Sequence, residues 1–145
     1  MFYSPQKFRE LALQMLYSRD FSDCEADDLL EFMMRSFLLS KKEMQKVGAQ
    51  CEKVEEKLTE IDLKIETAST EYSMERISKI EKNILRLLLF EMIYDKLPIQ
   101  VAVTEGTRLC KKFTSAEAGK FVHAILDKIY KENGDFSKIS NEQAP

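Results

Sequence analysis

Ser78-Lys79-Ile80-Glu81-Lys82-Asn83-Ile84-Leu85-Arg86-Leu87-Leu88-Leu89-Phe90-Glu91-Met92-Ile93-Tyr94 is the stretch on which the fold turns. Ser78, followed three residues later by Glu81, is the capping-box signature of a helix start. From Ile80 to Tyr94 the stretch is apolar almost all round, through Ile84, Leu85, Leu87, Leu88, Leu89, Phe90, Met92 and Ile93. A helix with no broad polar face must be surrounded, so it belongs at the centre of a bundle. It is too short to cross a bilayer and carries Arg86 and Glu91, which points to the interior of a soluble protein.

Downstream, Pro98 opens a helix whose core stripe is Ile99, Ala102, Val103, Gly106, Leu109, Cys110 and Phe113, with Arg108, Lys111 and Lys112 on the other side. Thr114 and Glu117 form a second capping box, and the helix behind it buries Phe121, Val122, Ile125, Leu126 and Ile129. After Glu132 the chain turns polar, so the domain is expected to span residues 1–133, with 134–145 a mobile tail. Upstream, residues 68–73 read as a loop and Met74–Ile77 as a short helix. Before them a long helix is expected from Lys41 to Thr67. Its seam of Met44, Val47, Cys51, Val54, Leu58, Ile61 and Ile65 alternates spacings of three and four. That seam packs on a domain core or joins two copies as a coiled coil, and the first reading suits its short length. Asp20 to Glu31 is an acidic run where another helix begins, favoured there by the helix dipole. The first helix runs from Pro5 to Tyr17 with Ser4 as cap. Its stripe is Phe8, Leu11, Ala12, Met15 and Leu16, and Tyr17 lies on the opposite side. No alternating strand pattern appears, so the fold class is all-α.

Composition agrees. In 145 residues there are only four Gly and three Pro, too few for a turn-rich β architecture, and 44% hydrophobic content suffices for a core. The net charge of −3 supplies no global field for nucleic acid, so any RNA site must be a local basic patch. Cys24, Cys51 and Cys110 are odd in number and widely spaced, which fits a reducing cytoplasm better than a disulfide framework or a zinc site. The start, Met1-Phe2-Tyr3-Ser4-Pro5, is not the beginning of a signal peptide. There is one His, no Gly-rich phosphate loop, no metal-ligand cluster and no Ser/His/Asp set. Carboxylates alternate with Lys at helical spacing, as on a solvated face. The expectation is a binding protein, with no enzymatic activity and no cofactor.

Two segments carry a family resemblance. Arg9-Glu10-Leu11-Ala12-Leu13-Gln14-Met15-Leu16-Tyr17 resembles the opening of the NusB family, an Arg-Glu followed by Ala-x-Gln-x-Leu-Tyr. Between Ile80 and Lys128, three blocks resemble later parts of that family, in order and at matching separations. They are Glu81-Lys82-x-Ile84-Leu85-Arg86 with Glu91, Pro98-x-x-Val101-Ala102-Val103-x-Glu105, and Lys120-Phe121-Val122-x-x-Ile125-Leu126-Asp127-Lys128. The resemblance implies seven helices in two three-helix bundles set roughly at right angles and sharing the central apolar helix. It also implies a transcription antitermination factor. Such factors pair with NusE, a small-subunit ribosomal protein, bind the boxA element of nascent single-stranded RNA, and join the antitermination complex of RNA polymerase, chiefly during ribosomal RNA synthesis.

The same resemblance nominates residues. The family's arginine-rich N-terminus contacts RNA; here the run is Ser4-Pro5-Gln6-Lys7-Phe8-Arg9, which keeps only Lys7 and Arg9. Fewer cations release fewer counterions, so RNA binding should be weaker and less salt-dependent. Lys120 and Phe121 match a second RNA-contacting block, and Phe121 either fills the core or stacks on an unpaired base. The family's Asn-Gly after Phe-Val is His123-Ala124 here, leaving His123 as a hydrogen-bonding RNA contact. Tyr17 and Glu81 match positions that meet NusE, and Glu81 is also the reciprocal member of the Ser78 capping box. A NusB-like interaction module with weakened or lost RNA binding is the alternative. Whether the chain is a monomer or a homodimer stays open.

Overall fold

The computed structural model describes residues 4–20, 34–36, 38–70 and 73–133. Its described residues contain no strand and form six helices: α1 (Pro5–Arg19), α2 (Lys41–Glu56), α3 (Leu58–Ala68), α4 (Lys79–Tyr94), α5 (Ile99–Phe113) and α6 (Ala116–Asn133). The acidic run and most of the helix expected behind it, like the expected tail, lie outside the described residues; residues 34–36 are helical. The chain divides into two compact units, Met1–Glu56 and Lys57–Pro145.

In the first unit α1 packs on α2. Ser4 caps α1 as expected, its hydroxyl oxygen accepting from the Lys7 N–H at 3.1 Å, with Pro5 in the first position. The helix runs two residues beyond Tyr17 and buries more than one stripe. Leu13 is fully buried, and Arg9 and Glu10 are nearly so. The Cys51 thiol donates to the Ala12 carbonyl at 3.5 Å, tying the seam of α2 to α1. α2 opens on a capping box, Ser40-Lys41-Lys42-Glu43, that the reading of the sequence did not single out. Glu43 N–H donates to Ser40 Oγ at 3.1 Å, and Ser40 N–H donates back to the Glu43 carboxylate at 3.0 Å. The Ser40 N–H holds the Glu43 carboxyl below its ordinary pKa.

The long helix expected over Lys41–Thr67 is two helices, broken at Lys57, whose φ of −105° and ψ of 11° leave the helical range. No Gly or Pro marks the break. It falls where the apolar seam changes neighbours: α2 packs on α1, whereas α3 packs on α4 and α6. The expected short helix at Met74–Ile77 is a turn closed by Arg76 N–H to Ser73 C=O at 2.9 Å, four residues being too few to repay helix nucleation.

In the second unit α4 is surrounded, packing on α3, α5 and α6, and Ile84, Leu85, Leu87, Leu88, Leu89 and Met92 are almost wholly buried. The buried Asn83 donates to the Lys79 carbonyl at 2.8 Å and accepts from Arg86 at 3.3 Å. Arg86 grips Asp62 of α3 through two bonds, each 2.8 Å. α5 and α6 approach closely at Gly106, where a Cβ would stand 3.0 Å from Val122 Cγ1 and 3.3 Å from Leu88 Cδ1. The second capping box expected at Thr114 is displaced by one residue. Thr114 ends α5 with φ −141° and ψ −96°, and Ser115 caps α6, its Oγ accepting from Ala118 N–H at 3.1 Å.

Candidate nucleic-acid interface

The start of α6 carries most of the nominated residues. Its buried stripe of Ala118, Val122, Ile125, Leu126 and Ile129 turns toward the core, which leaves Phe121 half-buried at the stripe's edge. Phe121 borders two grooves. One, of about 350 Å³, lies between it, Arg76, Glu81, Thr114, Ser115 and Ala118. The other, of about 200 Å³, is bounded by Phe121, Ala68, Thr70, Ala124, Ile125 and Lys128. Lys128 stands at the far end of this second groove and donates to the Ala68 carbonyl at 3.1 Å, satisfying an acceptor left over at the end of α3.

Lys120 is 79% exposed and pairs loosely with the equally exposed Glu117, 3.7 Å away. A surface pair of this kind contributes about 0–1 kcal/mol, so the ammonium exchanges partners at little cost. His123 is exposed and lines neither groove; two residues along a helix from Phe121, it sits on a different face. Glu81 is half-buried and takes part in the cap of α4. Its N–H donates to Ser78 Oγ at 3.2 Å, the Ser78 hydroxyl donates to its carboxylate, and it borders the larger groove with Phe121.

The other nominated residues belong to the first unit. Lys7 is half-buried in the first turn of α1, and Tyr17 is half-buried near its end. Arg9 is only 8% exposed and engaged within the structure, so it presents little of itself to an RNA phosphate. The structure thus joins Phe121 and Glu81 in one groove; Lys120 lines neither groove but pairs with Glu117, which borders the larger one, and His123 stands apart.

Burial pushes the Cys51 thiol up to about 12, and burial followed by the Glu81 charge does the same for Cys110, so neither is a thiolate at neutral pH. Among the described residues no group of His, Cys, Asp and Glu is arranged to hold a metal, and no helix is long and apolar enough to cross a membrane. Sequence reasoning passed over Arg76, which faces Phe121 across the larger groove. The available signal was a lone Arg just before the Ser78 cap, hidden by reading the segment as a helix.

Comparison with known proteins places this arrangement. The sequence model of the NusB family matches residues 6–131. The transcription antitermination protein NusB of Chlamydia pneumoniae is 38% identical over 133 residues, covering 90% of this chain and 82% of that one. The protein of the same name from Anaeromyxobacter dehalogenans is 34% identical over 122 residues, covering 83% and 86%. Among solved structures, T. maritima NusB superposes with a TM-score of 0.77 at 28% identity, covering 91% of this chain and 94% of that one. A chain from the crystal structure of antitermination factors NusB and NusE in complex with dsRNA superposes with a TM-score of 0.74 at 26% identity, covering 88% and 96%. An all-α chain matched from its first helix to its last by that family's sequences and structures belongs to the NusB family.

Proposed function

We propose that this chain is a non-catalytic transcription antitermination factor. It binds boxA-type single-stranded RNA as a heterodimer with the ribosomal protein NusE, within the antitermination complex of RNA polymerase. The observation that carries the reading is its likeness, across 88% of the chain, to a chain of the solved complex of antitermination factors NusB and NusE with dsRNA. The local geometry supports it: an aromatic side chain half-exposed between two grooves, with a mobile cation beside it, is the arrangement that receives unstacked bases. Work on nascent RNA also entails a cytoplasmic location. In this reading Lys7, Lys120 and Phe121 meet RNA, and Tyr17 and Glu81 meet NusE.

The test is titration of NusE into this chain, followed by boxA RNA into the pair. Binding of NusE is expected at micromolar concentration or tighter, with the pair holding RNA more tightly than this chain alone. No NusE binding in that range refutes the reading. Glu81→Lys should weaken the pair at least several-fold through charge reversal; an unchanged affinity leaves Glu81 with its cap alone.

A second reading, an interaction module with weakened RNA binding, is favoured by one observation. The N-terminal run has two cations, and Arg9 is buried. NusE binding without any measurable boxA affinity, at low salt as well as high, selects it.

A further inference from the structure

The chain has six arginines, and five are engaged. Arg19 pairs with Glu55, Arg86 with Asp62 and Arg108 with Glu105, while Arg9 and Arg35 also have interaction partners. Arg76 is exposed, and its guanidinium has no partner among the described residues. Its backbone, by contrast, is fixed. The Arg76 N–H closes the turn onto Ser73, and the next residue, Ile77, is 5% exposed and anchors the segment. A cation with a pinned backbone and a head unpaired among the described residues therefore lines the larger groove together with Phe121, Ala118, Thr114 and Ser115.

We propose that Arg76 is an RNA phosphate contact, holding the phosphate of the nucleotide whose base stacks on Phe121. The proposal rests on the RNA-binding reading above and adds a residue to it. The groove, at about 350 Å³, lies within the size range of small-ligand sites. Its two kinds of wall match the two halves of a nucleotide: an aromatic face for the base, and a planar five-donor cation for the phosphate. Two carboxylates, Glu81 and Glu117, also border the groove. They repel phosphate, which leaves the Arg76 wall as its place. Each carboxylate is itself engaged, Glu81 by the Ser78 hydroxyl and Glu117 by Lys120, so neither is paired with Arg76. Arg76 thereby supplies a cation that the sparse N-terminal run lacks.

The experiment compares the wild-type chain, Arg76→Gln, Arg76→Lys and Lys96→Gly, each paired with NusE, in binding boxA RNA at several salt concentrations. Lys96 is a control that loses the same charge. It is exposed, lies beyond the opposite end of α4 and lines neither groove. Arg76→Gln is expected to lose affinity about three- to ten-fold at low salt and to flatten the slope of log affinity against log salt by about 0.7, one single-strand phosphate's worth. Arg76→Lys should recover most of that slope, and Lys96→Gly should match the wild type. Affinity for NusE, measured separately, should not change in any variant. Wild-type affinity and slope in Arg76→Gln overturn the proposal while leaving the RNA-binding reading standing. So does an equal loss in Lys96→Gly, which reduces the effect to net charge, or a loss of NusE binding by Arg76→Gln, which assigns the groove to the protein partner. Absence of RNA binding by the wild-type pair overturns both.

Discussion

Among the described glycines, Gly106 has the least room around it. The close approach of α5 to α4 and α6 depends on its missing side chain, since Val122 and Leu88 already stand at contact distance from where a Cβ would be. Gly106→Leu should therefore force these helices apart and lower unfolding stability by about 1–3 kcal/mol or more, read as a drop in the denaturant midpoint. Little or no drop would mean that Val122 and Leu88 yield freely. The reading of Gly106 as part of a core stripe was available from the sequence, because its spacing from Ala102, Leu109 and Cys110 is helical. The buried charges were less visible. Glu105 lies within that stripe and is 4% exposed, held by Arg108 at 2.6 and 3.1 Å. Hydrophobic periodicity does not reveal a carboxylate carried inward by its own ion pair. The burial of Arg9, nominated as an RNA contact, was unforeseen for a similar reason: it sits on a helix whose buried face is wider than a single stripe.

At the level of elements, the sequence located most helices through capping chemistry and apolar spacing, both local in origin. The starts of α1 and α4 agree to the residue. The break at Lys57 was hidden because helix interruption there is imposed by what each half packs against, and heptad spacing continues across it undisturbed. The break also removes the long continuous seam that a coiled-coil dimer would need. Candidate sites divided along the same line. Phe121 and Glu81 were nominated because they fall in helical blocks that resemble the family, whereas Arg76 lies in a turn outside those blocks. α3 is tied to α4 by a two-pronged clamp, Arg86 to Asp62, with side chains 11% and 26% exposed, and by the Tyr94 hydroxyl donating to Glu60. Removing the acceptor by Asp62→Ala should cost about 1.5–3 kcal/mol. Hydrogen exchange should show α3 protected less than before, while the amides of α2 serve as the internal reference. Equal protection of α3 in both proteins would show that the clamp contributes nothing beyond apolar packing and the Tyr94–Glu60 bond.

At the scale of the whole molecule, three acidic groups among the described residues titrate above their ordinary values for reasons that exist only in the folded chain. Cys51 and Cys110 move from near 9 to about 12, chiefly by burial. Tyr94 moves from near 10 to about 12 through burial and its 2.8 Å hydrogen bond to Glu60. The folded state therefore binds more protons than the unfolded state across this window. The stability these groups contribute is complete below pH 9 and is lost as pH rises from about 9 to about 12. Denaturant midpoints measured from pH 7 upward should hold level and then fall through that range. In the variant Tyr94→Phe the fall between about 10 and 12 should be shallower; an identical fall would remove Tyr94 from the account.

The position of one ring between two hollows bears on how a flexible strand would be counted. Phe121 makes the start of α6 a ridge rather than a plane, with a compartment on either flank. A polymer laid across a ridge must seat whole units on each side, so its register advances in single steps, and inserting one nucleotide reassigns every later base to its neighbour's berth.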